Sequence, residues 1–265
     1  MQKLEIKGGR KISGTISISG SKNATLPILA ATILTSKKII LKNIPFVRDV
    51  ETMALLLESI GSSINLNKKE KKIEIINKND LKTFASYNFL KTMRAGVLVL
   101  GPLLAKYGTA KVSLPGGCSI GSRPIDLHLN ALKKMGANIK VKNGYIIASA
   151  KKGLKGCLIK FSKISVGATE NILITACFSK GKTRLRNCAS EPEVQDLINF
   201  LKKLGCNIKQ IGKRSIDIDG VKTLKSATHT VIFDRIEAGT YIIAAALTGG
   251  KIKITNIDPK IISTE

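Results

Sequence analysis

Residues Leu127-His-Leu-Asn-Ala-Leu-Lys-Lys-Met-Gly136 carry the pattern that decides the fold. Apolar residues recur three and four positions apart, which predicts an amphipathic helix. The closing glycine fits the left-handed position that commonly ends a helix. The same pattern occurs at 50–61 and 196–205, and the three closing glycines lie 75 and 69 residues apart. The chain is therefore predicted to consist of a repeated unit of about seventy residues.

Each copy of this helix has the same predicted neighbours. A helix and a strand precede it, and two hairpin-like strands follow it, so the unit is helix, strand, loop, helix, strand, strand. The predicted leading helices and strands are 24–34 with 38–43, 94–106 with 109–114, and 169–178 with 182–187. Three complete units between Lys22 and about Phe233 predict a mixed α/β (α+β) fold.

A fourth copy of the unit begins near the end of the chain. It has a predicted helix over 236–247 and a predicted strand over 251–256, and Glu265 is the last residue. A single helix and strand cannot bury their apolar faces alone. We expect this segment to belong to a fragment of a larger domain, or to dock on the three units or on another chain.

Composition predicts a soluble, cytoplasmic globular protein. The chain has 265 residues and 43% hydrophobic residues, which excludes a disordered chain. Its longest apolar runs, 95–105 and 241–247, are too short to span a bilayer. The first residues lack the apolar core of a signal peptide. We therefore expect no membrane partner.

The formal charge of +26 requires an explanation, because such an excess can indicate nucleic-acid binding. The lysines are spread along the chain, aromatic residues make up only 4%, and no stacking motif accompanies them. We predict that nucleic acid is not a partner and that the charge attracts small, doubly anionic substrates. A basic nucleic-acid binder remains an alternative.

The cysteines and histidines predict neither disulfides nor a metal. The five cysteines are an odd number without a Cys-x-x-Cys pair. Cys157, Cys177 and Cys206 lie in apolar patterns and are expected in the core. The two histidines are too few for a histidine-based metal centre and are expected to be polar surface groups. No metal or organic cofactor is predicted.

The loop before the first quoted helix carries the candidate chemistry. Residues 113–128 contain three glycines and two prolines, so they form neither a regular helix nor a central strand. Cys118 lies in the middle and Arg123 follows it. A thiol on such a loop beside a guanidinium suggests acid–base or nucleophilic chemistry on an anionic substrate. A turn that contains an inert buried cysteine is the alternative.

A second motif is rejected. Residues 176–183 fit a relaxed phosphate-loop pattern, which requires a strand before it and a helix after it. Here the predicted order is reversed, so nucleotide hydrolysis is not expected.

The motif Pro115-Gly-Gly-Cys-x-Ile-Gly-x-Arg-Pro-x-Asp-Leu-His128 resembles the active-site loop of the UDP-N-acetylglucosamine 1-carboxyvinyltransferases, which are members of the EPSP synthase family. Further segments resemble the same family in the same order: 20–24, 91–96, 165–169, 191–193 and 234–240. The resemblance implies an inside-out α/β barrel, with helices inside and sheets outside, in two domains of three units each. It assigns 22–233 to the first domain, and 1–21 and 234–265 to a truncated second domain.

The implied reaction transfers the enolpyruvyl group of phosphoenolpyruvate to the 3′-hydroxyl of UDP-N-acetylglucosamine, without a cofactor, as the first committed step of peptidoglycan synthesis. Cys118 would protonate the methylene carbon of phosphoenolpyruvate and can form a covalent adduct with it. The implied substrate-binding residues are Lys22, Asn23, Arg94, Arg123, Pro124, Ile125, Asp126, Leu127, Lys163, Ile164, Ser165 and Val166. The turn at Ser165 is a diphosphate cradle, a helix N-cap, or both. Glu191 and Glu193 are expected to be acids of a helix's first turn rather than catalytic groups.

In the family, the base for the sugar hydroxyl and further arginines come from the second domain. The resemblance therefore implies that this chain is incomplete, with little or no turnover alone. The alternatives are a non-catalytic remnant that binds the two substrates, and one half of a split enzyme with a complementary second-domain chain. The relative that uses shikimate 3-phosphate is disfavoured because it does not rely on this cysteine.

Overall fold

A computed structural model describes residues 3, 5, 7–116 and 125–262 of the chain. The three predicted units are present within these ranges, preceded by β1 (Ser13–Ser17). The first unit consists of α1 (Lys22–Ala31) with a 3₁₀ turn (Thr32–Leu34), β2 (Ile39–Lys42), α2 (Arg48–Ile60), β3 (Ser62–Asn67) and β4 (Lys72–Asn77). The second consists of β5 (Phe84–Ala85), α3 (Tyr87–Leu90), a 3₁₀ helix (Arg94–Val99), α4 (Leu100–Tyr107), β6 (Thr109–Ser113), α5 (Asp126–Lys134), β7 (Asn138–Lys142) and β8 (Tyr145–Ser149).

The third unit and the beginning of the fourth copy follow. The third consists of β9 (Leu158–Lys160), α6 (Val166–Ala176), β10 (Lys182–Arg186), α7 (Pro192–Lys203), β11 (Asn207–Gly212) and β12 (Ser215–Asp219). After it come β13 (Ala227–Thr230), α8 (Arg235–Thr248), β14 (Lys251–Thr255) and α9 (Pro259–Ile262). The predicted leading strands are confirmed to within one residue. The helix predicted over 94–106 is instead divided into a 3₁₀ part and α4, because Pro102 has no N–H to donate to the carbonyl of Leu98.

The sheets lie outside and the leading helices lie inside. The three four-stranded sheets have the strand orders β13-β2-β4-β3, β5-β6-β8-β7 and β11-β12-β10-β9. Every residue of α1 from Ala24 onward is buried, and so is every residue of α6 from Ala168 onward. A helix that is surrounded by protein on all sides is mostly apolar around its whole circumference, and both helices are rich in Ala, Leu and Ile. The predicted inside-out arrangement is confirmed.

The strands β1 and β13 each pair with a strand from the opposite end of the described chain. β5 and β9 each pair in parallel with the leading strand of their own unit. In the first unit that place is taken by β13, which pairs in parallel with β2. The strand that precedes the first unit, β1, pairs in parallel with β14 of the fourth copy. The strand of the fourth copy, β14, therefore has a partner, because the N-terminal segment supplies β1.

The two segments that make this exchange cross at Gly20 and Phe233. These residues form an antiparallel bridge, and the Ser21 amide donates to the Ile232 carbonyl at 2.7 Å. A Cβ at Gly20 would overlap the carbonyl oxygen of Asn43. Only glycine therefore permits the N-terminal segment to pass this close to the end of β2.

An asparagine ends the leading strand in three of the four copies. Asn43, Asn187 and Asn256 each have a left-handed φ of 58°. Each donates its side-chain amide to a carbonyl at the end of the neighbouring parallel strand, at 2.9, 2.9 and 2.6 Å. Asparagine tolerates this conformation better than other residues with a Cβ. The second unit has Leu114 at this position, where the Cys118 loop begins.

Burial confirms some sequence predictions and corrects others. Cys177 and Cys206 are buried as predicted, whereas Cys157 is half-buried and packs against the edge of the core. Both histidines, expected at the surface, are buried, because apolar neighbours on the same face carry them into the core. Residues 176–183 run from the end of α6 into β10, which confirms that they are not a phosphate loop.

The described ranges contain neither a candidate membrane-spanning helix nor a candidate metal cluster. No helix there is long and apolar enough to cross a bilayer, and no three His, Cys, Asp or Glu residues are grouped so that they could hold a metal ion.

We expect Gly20→Ala to lower the free energy of unfolding by about 3 kcal/mol, because the added methyl would overlap the Asn43 carbonyl and force the crossing away from the end of β2. Urea denaturation monitored by circular dichroism measures this change. Gly239→Ala is the matched control, since a Cβ there meets no atom within 4 Å. It lies inside α8, so alanine should stabilise the chain by roughly 0.5–1 kcal/mol. Equal effects of the two changes would show that the crossing does not constrain the fold.

Candidate functional site

The Cys118 loop is fixed at both ends. Cys118, Arg123 and Pro124 themselves lie outside the described residues. On one side, the Gly116 amide donates to the Leu90 carbonyl at 3.2 Å, and a Cβ at Gly116 would overlap the backbone of Lys91. On the other side, Ile125 precedes the first turn of α5. The loop therefore leaves the segment that carries Arg94 and returns at the N-terminus of a helix.

Lys22 begins the buried helix α1, with Asn23 exposed beside it. Ser21 caps this helix by accepting from the Ala24 amide at 3.3 Å. The Lys22 ammonium is half-exposed and forms an ion pair with Asp49, in the first turn of α2, at 2.9 Å. A phosphate or carboxylate that binds Lys22 would have to compete with Asp49 for this ammonium. The helix N-terminus adds a positive partial charge at the same place.

Asp234 joins the N-termini of two helices. Its Oδ1 caps α8 by accepting from the Ile236 and Glu237 amides at 2.9 and 3.1 Å. Its Oδ2 accepts from the Lys22 amide, the first residue of α1, at 3.3 Å. One carboxylate therefore fixes α8 against the helix that carries two of the predicted binding residues.

His128 is a buried, neutral contact between α5 and α6. The Asn171 amide nitrogen lies 3.0 Å from His128 Nδ1 and 3.2 Å from the Val97 carbonyl. An amide nitrogen only donates, so Nδ1 accepts and the imidazole proton lies on Nε2. Burial, and to a smaller degree the charge of Arg94, lowers the pKa of His128 to about 4. The ring lies over Gly167, with Nε2 3.7 Å from the position that a Cβ there would take.

His128 brings three parts of the chain together: Arg94, the start of α5 and the first turn of α6. Arg94 is half-buried in the 3₁₀ helix, which also packs against α1. Its charge acts on His128, whose ring covers Gly167 of the predicted cradle. These segments are far apart in the chain, and the buried histidine connects them.

Ser165 is the N-cap of α6. Its Oγ accepts from the Ala168 amide at 3.3 Å, which agrees with the N-cap interpretation of this turn. Lys163 and Ile164 before it are exposed, and Val166 is half-buried. The remaining amides of the first turn are available to an anion, because the first four N–H groups of a helix have no partner within it.

A cavity of about 320 Å³ lies between α5 and the strand and turn that lead to α6. Leu127 lines it on one side and Ser162 on the other. Lys133, Lys134 and Lys160 also line it and make it cationic. The two segments predicted to hold the nucleotide sugar therefore adjoin one positively charged hollow, with Asp126 exposed beside it.

A sequence model described as EPSP synthase (3-phosphoshikimate 1-carboxyvinyltransferase) matches residues 6–264. The chain belongs to the EPSP synthase family. Among similar proteins is a UDP-N-acetylglucosamine 1-carboxyvinyltransferase of Pelagibacter ubique, 63% identical over 265 residues, which are all of this chain and 63% of that protein. The enzyme of the same name from Geobacter metallireducens is 50% identical over 257 residues, covering 97% of this chain and 61% of that protein. The chain thus spans less than two thirds of these relatives.

Solved structures show the same fold at low sequence identity. The enolpyruvyl transferase NikO from Streptomyces tendae matches with a TM-score of 0.78 and 20% identity, over 89% of this chain and 55% of that one. An EPSP synthase from Acinetobacter baumannii matches with a TM-score of 0.76 and 18% identity, over 95% of this chain and 57% of that one.

In this member of the EPSP synthase family, three carboxyl groups meet behind the cradle. Glu170 of α6 is buried, and its Oε1 has no hydrogen-bond partner among the described residues. Burial, followed by the charges of Glu193 and Glu191, raises the pKa of Glu170 well above its ordinary value. Glu193, in the first turn of α7 as predicted, accepts from Arg235 Nε at 3.0 Å.

Sequence reasoning missed the roles of His128 and Glu170. For His128 a signal existed, because Leu127, His128, Ala131 and Leu132 share the buried face of α5. For Glu170 the signal was a charged side chain in a helix that contains no other charged residue. Neither pattern reveals which distant group the buried side chain meets.

The described cysteines of this family member are unsuited to thiol chemistry. Burial raises the pKa of Cys157, of Cys177 and, to about 11, of Cys188. The thiolate is the reactive form, so these side chains are poor nucleophiles at neutral pH. A reagent that alkylates thiolates should therefore discriminate against them.

We expect Glu170→Gln to reduce the loss of stability at high pH. Because the folded state raises the pKa of Glu170, it binds this proton more tightly than the unfolded chain does. The free energy of unfolding therefore falls as the pH rises above the unfolded value of about 4.5. Urea midpoints at pH 5 and pH 8 should differ less for the variant than for the parent chain. Glu58→Gln, at an exposed position of α2, is the control and should leave the difference between the two midpoints unchanged. If both variants reduced this difference equally, the assignment of the pH dependence to Glu170 would be wrong.

Proposed function

We propose that the chain forms part of a UDP-N-acetylglucosamine 1-carboxyvinyltransferase. This enzyme would transfer the enolpyruvyl group of phosphoenolpyruvate to the sugar 3′-hydroxyl, as the first committed step of cytoplasmic peptidoglycan synthesis, on which cell shape and division depend. The observation that carries the proposal is the convergence of Arg94, the first turn of α6 and the α5 end of the Cys118 loop around His128. The identity of 63% to the Pelagibacter relative over the whole chain supports it.

The proposed chemistry is an addition followed by an elimination. Lys22, Arg94 and Arg123 would bind the phosphate and carboxylate of phosphoenolpyruvate, for which charge-assisted hydrogen bonds are strong. The Cys118 thiol would donate its proton to the methylene carbon, while the sugar oxygen loses its own proton and bonds to the neighbouring carbon. Loss of phosphate and of one proton from the new methyl group then restores the carbon–carbon double bond.

The nucleotide sugar would bind across α5 and α6. The segment from Arg123, Pro124 and Ile125 to Leu127 would form one wall, and Lys163 to Val166 the other. The free amides at the start of α6 suit a diphosphate, and the lysines of the adjoining cavity add positive charge. His128, whose Nδ1 accepts from Asn171 of α6, would hold the two walls in register.

We further propose that β1, α8 and β14 begin a second body of the same repeat. The large apolar side chains exposed on α8 are Ile236, Tyr241, Ile242, Ile243 and Leu247. A helix with this much exposed apolar surface requires cover. Further helices of a second three-unit domain fit this face, supplied by the same polypeptide or by a complementary chain. The base for the sugar hydroxyl would come from that domain.

We expect the 265-residue chain to bind UDP-N-acetylglucosamine but to release no phosphate from the two substrates, because the base lies on the second body. Calorimetry and a phosphate assay measure the two properties separately. Lys163→Ala should weaken binding about tenfold through the loss of a charge-assisted contact. Arg184→Ala, exposed on an outer strand, is the control. Absence of binding, or normal turnover, would refute this assignment.

We expect fosfomycin, which alkylates the family cysteine, to modify Cys118 and leave the four other cysteines unmodified, because burial raises the pKa of Cys157, Cys177 and Cys188, and Cys206 is itself buried. Peptide mass spectrometry identifies the labelled residue, and Cys118→Ala should abolish labelling. Binding of the nucleotide sugar without any labelling of Cys118 would favour the non-catalytic remnant instead.

A further inference from the structure

The outer face of the middle sheet, β5-β6-β8-β7, carries two aromatic rings among lysines. The rings of Phe84 and Tyr145 have centroids 5.6 Å apart and planes inclined by 34°. The Lys111 ammonium lies 5.2 Å from the first centroid and 4.9 Å from the second. Lys140 and Lys142 are exposed on the neighbouring strand β7, and their cross-strand partners are Ile147 and Tyr145. We name this surface, which consists of Phe84, Lys111, Lys140, Lys142, Tyr145 and Ile147, the aromatic platform.

The other two units show that the fold does not require this surface. In the third sheet, the residue opposite the central cation Arg184 is Asp217, which pairs with it at 3.8 Å and with Arg186 at 2.8 Å. In the first sheet, the corresponding hairpin residue is Glu74, which pairs with Lys38 at 2.7 Å and with Lys72 at 2.6 Å. Both units neutralise their outer cations with a carboxylate at the same position.

The second unit has Ile147 at that position, opposite Lys111. Its four strands contain neither Asp nor Glu. It also has Phe84 where the third unit has Leu158, since each is the parallel neighbour of the central cation. One repeat of three therefore lacks the neutralising acid and has gained aromatic rings.

We propose that the aromatic platform binds single-stranded nucleic acid. A solvent-facing four-stranded sheet with aromatic side chains on two strands offers stacking surfaces for unpaired bases. Lys111 between the rings, and Lys140 and Lys142 on the strand beyond Tyr145, are placed to contact the phosphates that connect those bases. The sequence alone does not reveal this arrangement, because the two rings lie on strands far apart in the chain. The platform is independent of the proposed transferase site, which none of its residues joins.

The proposal makes a quantitative prediction about salt. Three lysines that contact phosphates should give a slope of about −2 for the logarithm of the association constant against the logarithm of the salt concentration. Removing one stacking ring should weaken binding roughly tenfold.

Fluorescence anisotropy with labelled twelve-residue oligouridine and oligothymidine tests the platform on the full chain. We expect Phe84→Leu, which installs the residue of the third unit, and Tyr145→Ala each to weaken binding about tenfold. Ile147→Asp should weaken it similarly, because the new carboxylate would pair with Lys111 as Asp217 pairs with Arg184. Lys111→Glu should do the same, whereas Arg184→Glu, an equal change of charge on the third sheet, should have less than about a twofold effect. Thermal melting by circular dichroism verifies that each variant is folded.

Three outcomes would overturn the proposal. One is the absence of oligonucleotide binding at about 50 mM salt. A second is equal weakening by Lys111→Glu and Arg184→Glu, which would indicate attraction by net charge alone. The third is tighter, platform-dependent binding of polyglutamate or of vesicles that contain phosphatidylserine, which would assign the surface to an acidic protein or a membrane instead.

Discussion

The crossing of two backbone segments at Gly20 and Phe233 is the constraint on which the arrangement depends. Gly20 passes over the end of β2, where a side chain would overlap the carbonyl of Asn43. Beside this crossing, β13 completes the first sheet and β1 pairs with β14. Asp234 then caps α8 and accepts from the first amide of α1. The geometry of the substrate-binding end of α1 is thus coupled to the helix that begins the next body.

The proposed functions lie where the repeat is broken. Three copies end their leading strand with a left-handed asparagine that fastens the neighbouring strand. The second has Leu114 there, and the chain departs into the Cys118 loop. The same unit has lost the acid of its outer sheet face. A repeated scaffold keeps its stability in the unchanged copies, so one copy can vary its loops and surface.

Buried polar groups hold the site's parts at fixed distances. His128 remains neutral because burial lowers its pKa, so its contact with Asn171 needs no compensating charge. Glu170 does the opposite, since burial beside two other carboxyl groups raises its pKa and favours the protonated form. Of the two, His128 connects α5 to α6 through Asn171. Such groups are costly to leave unpaired, which makes the relative positions of these elements specific.

The sequence alone determined the repeat, its helices and strands, and the segments that carry Lys22, Arg94 and Cys118. These features follow from periodicity and from motifs, which are local properties of the chain. It did not determine the exchange of β1 and β13, the burial of His128, or the meeting of Phe84 and Tyr145. Each of these joins residues that are distant in sequence, and only the packing of the three units decides which of them come into contact.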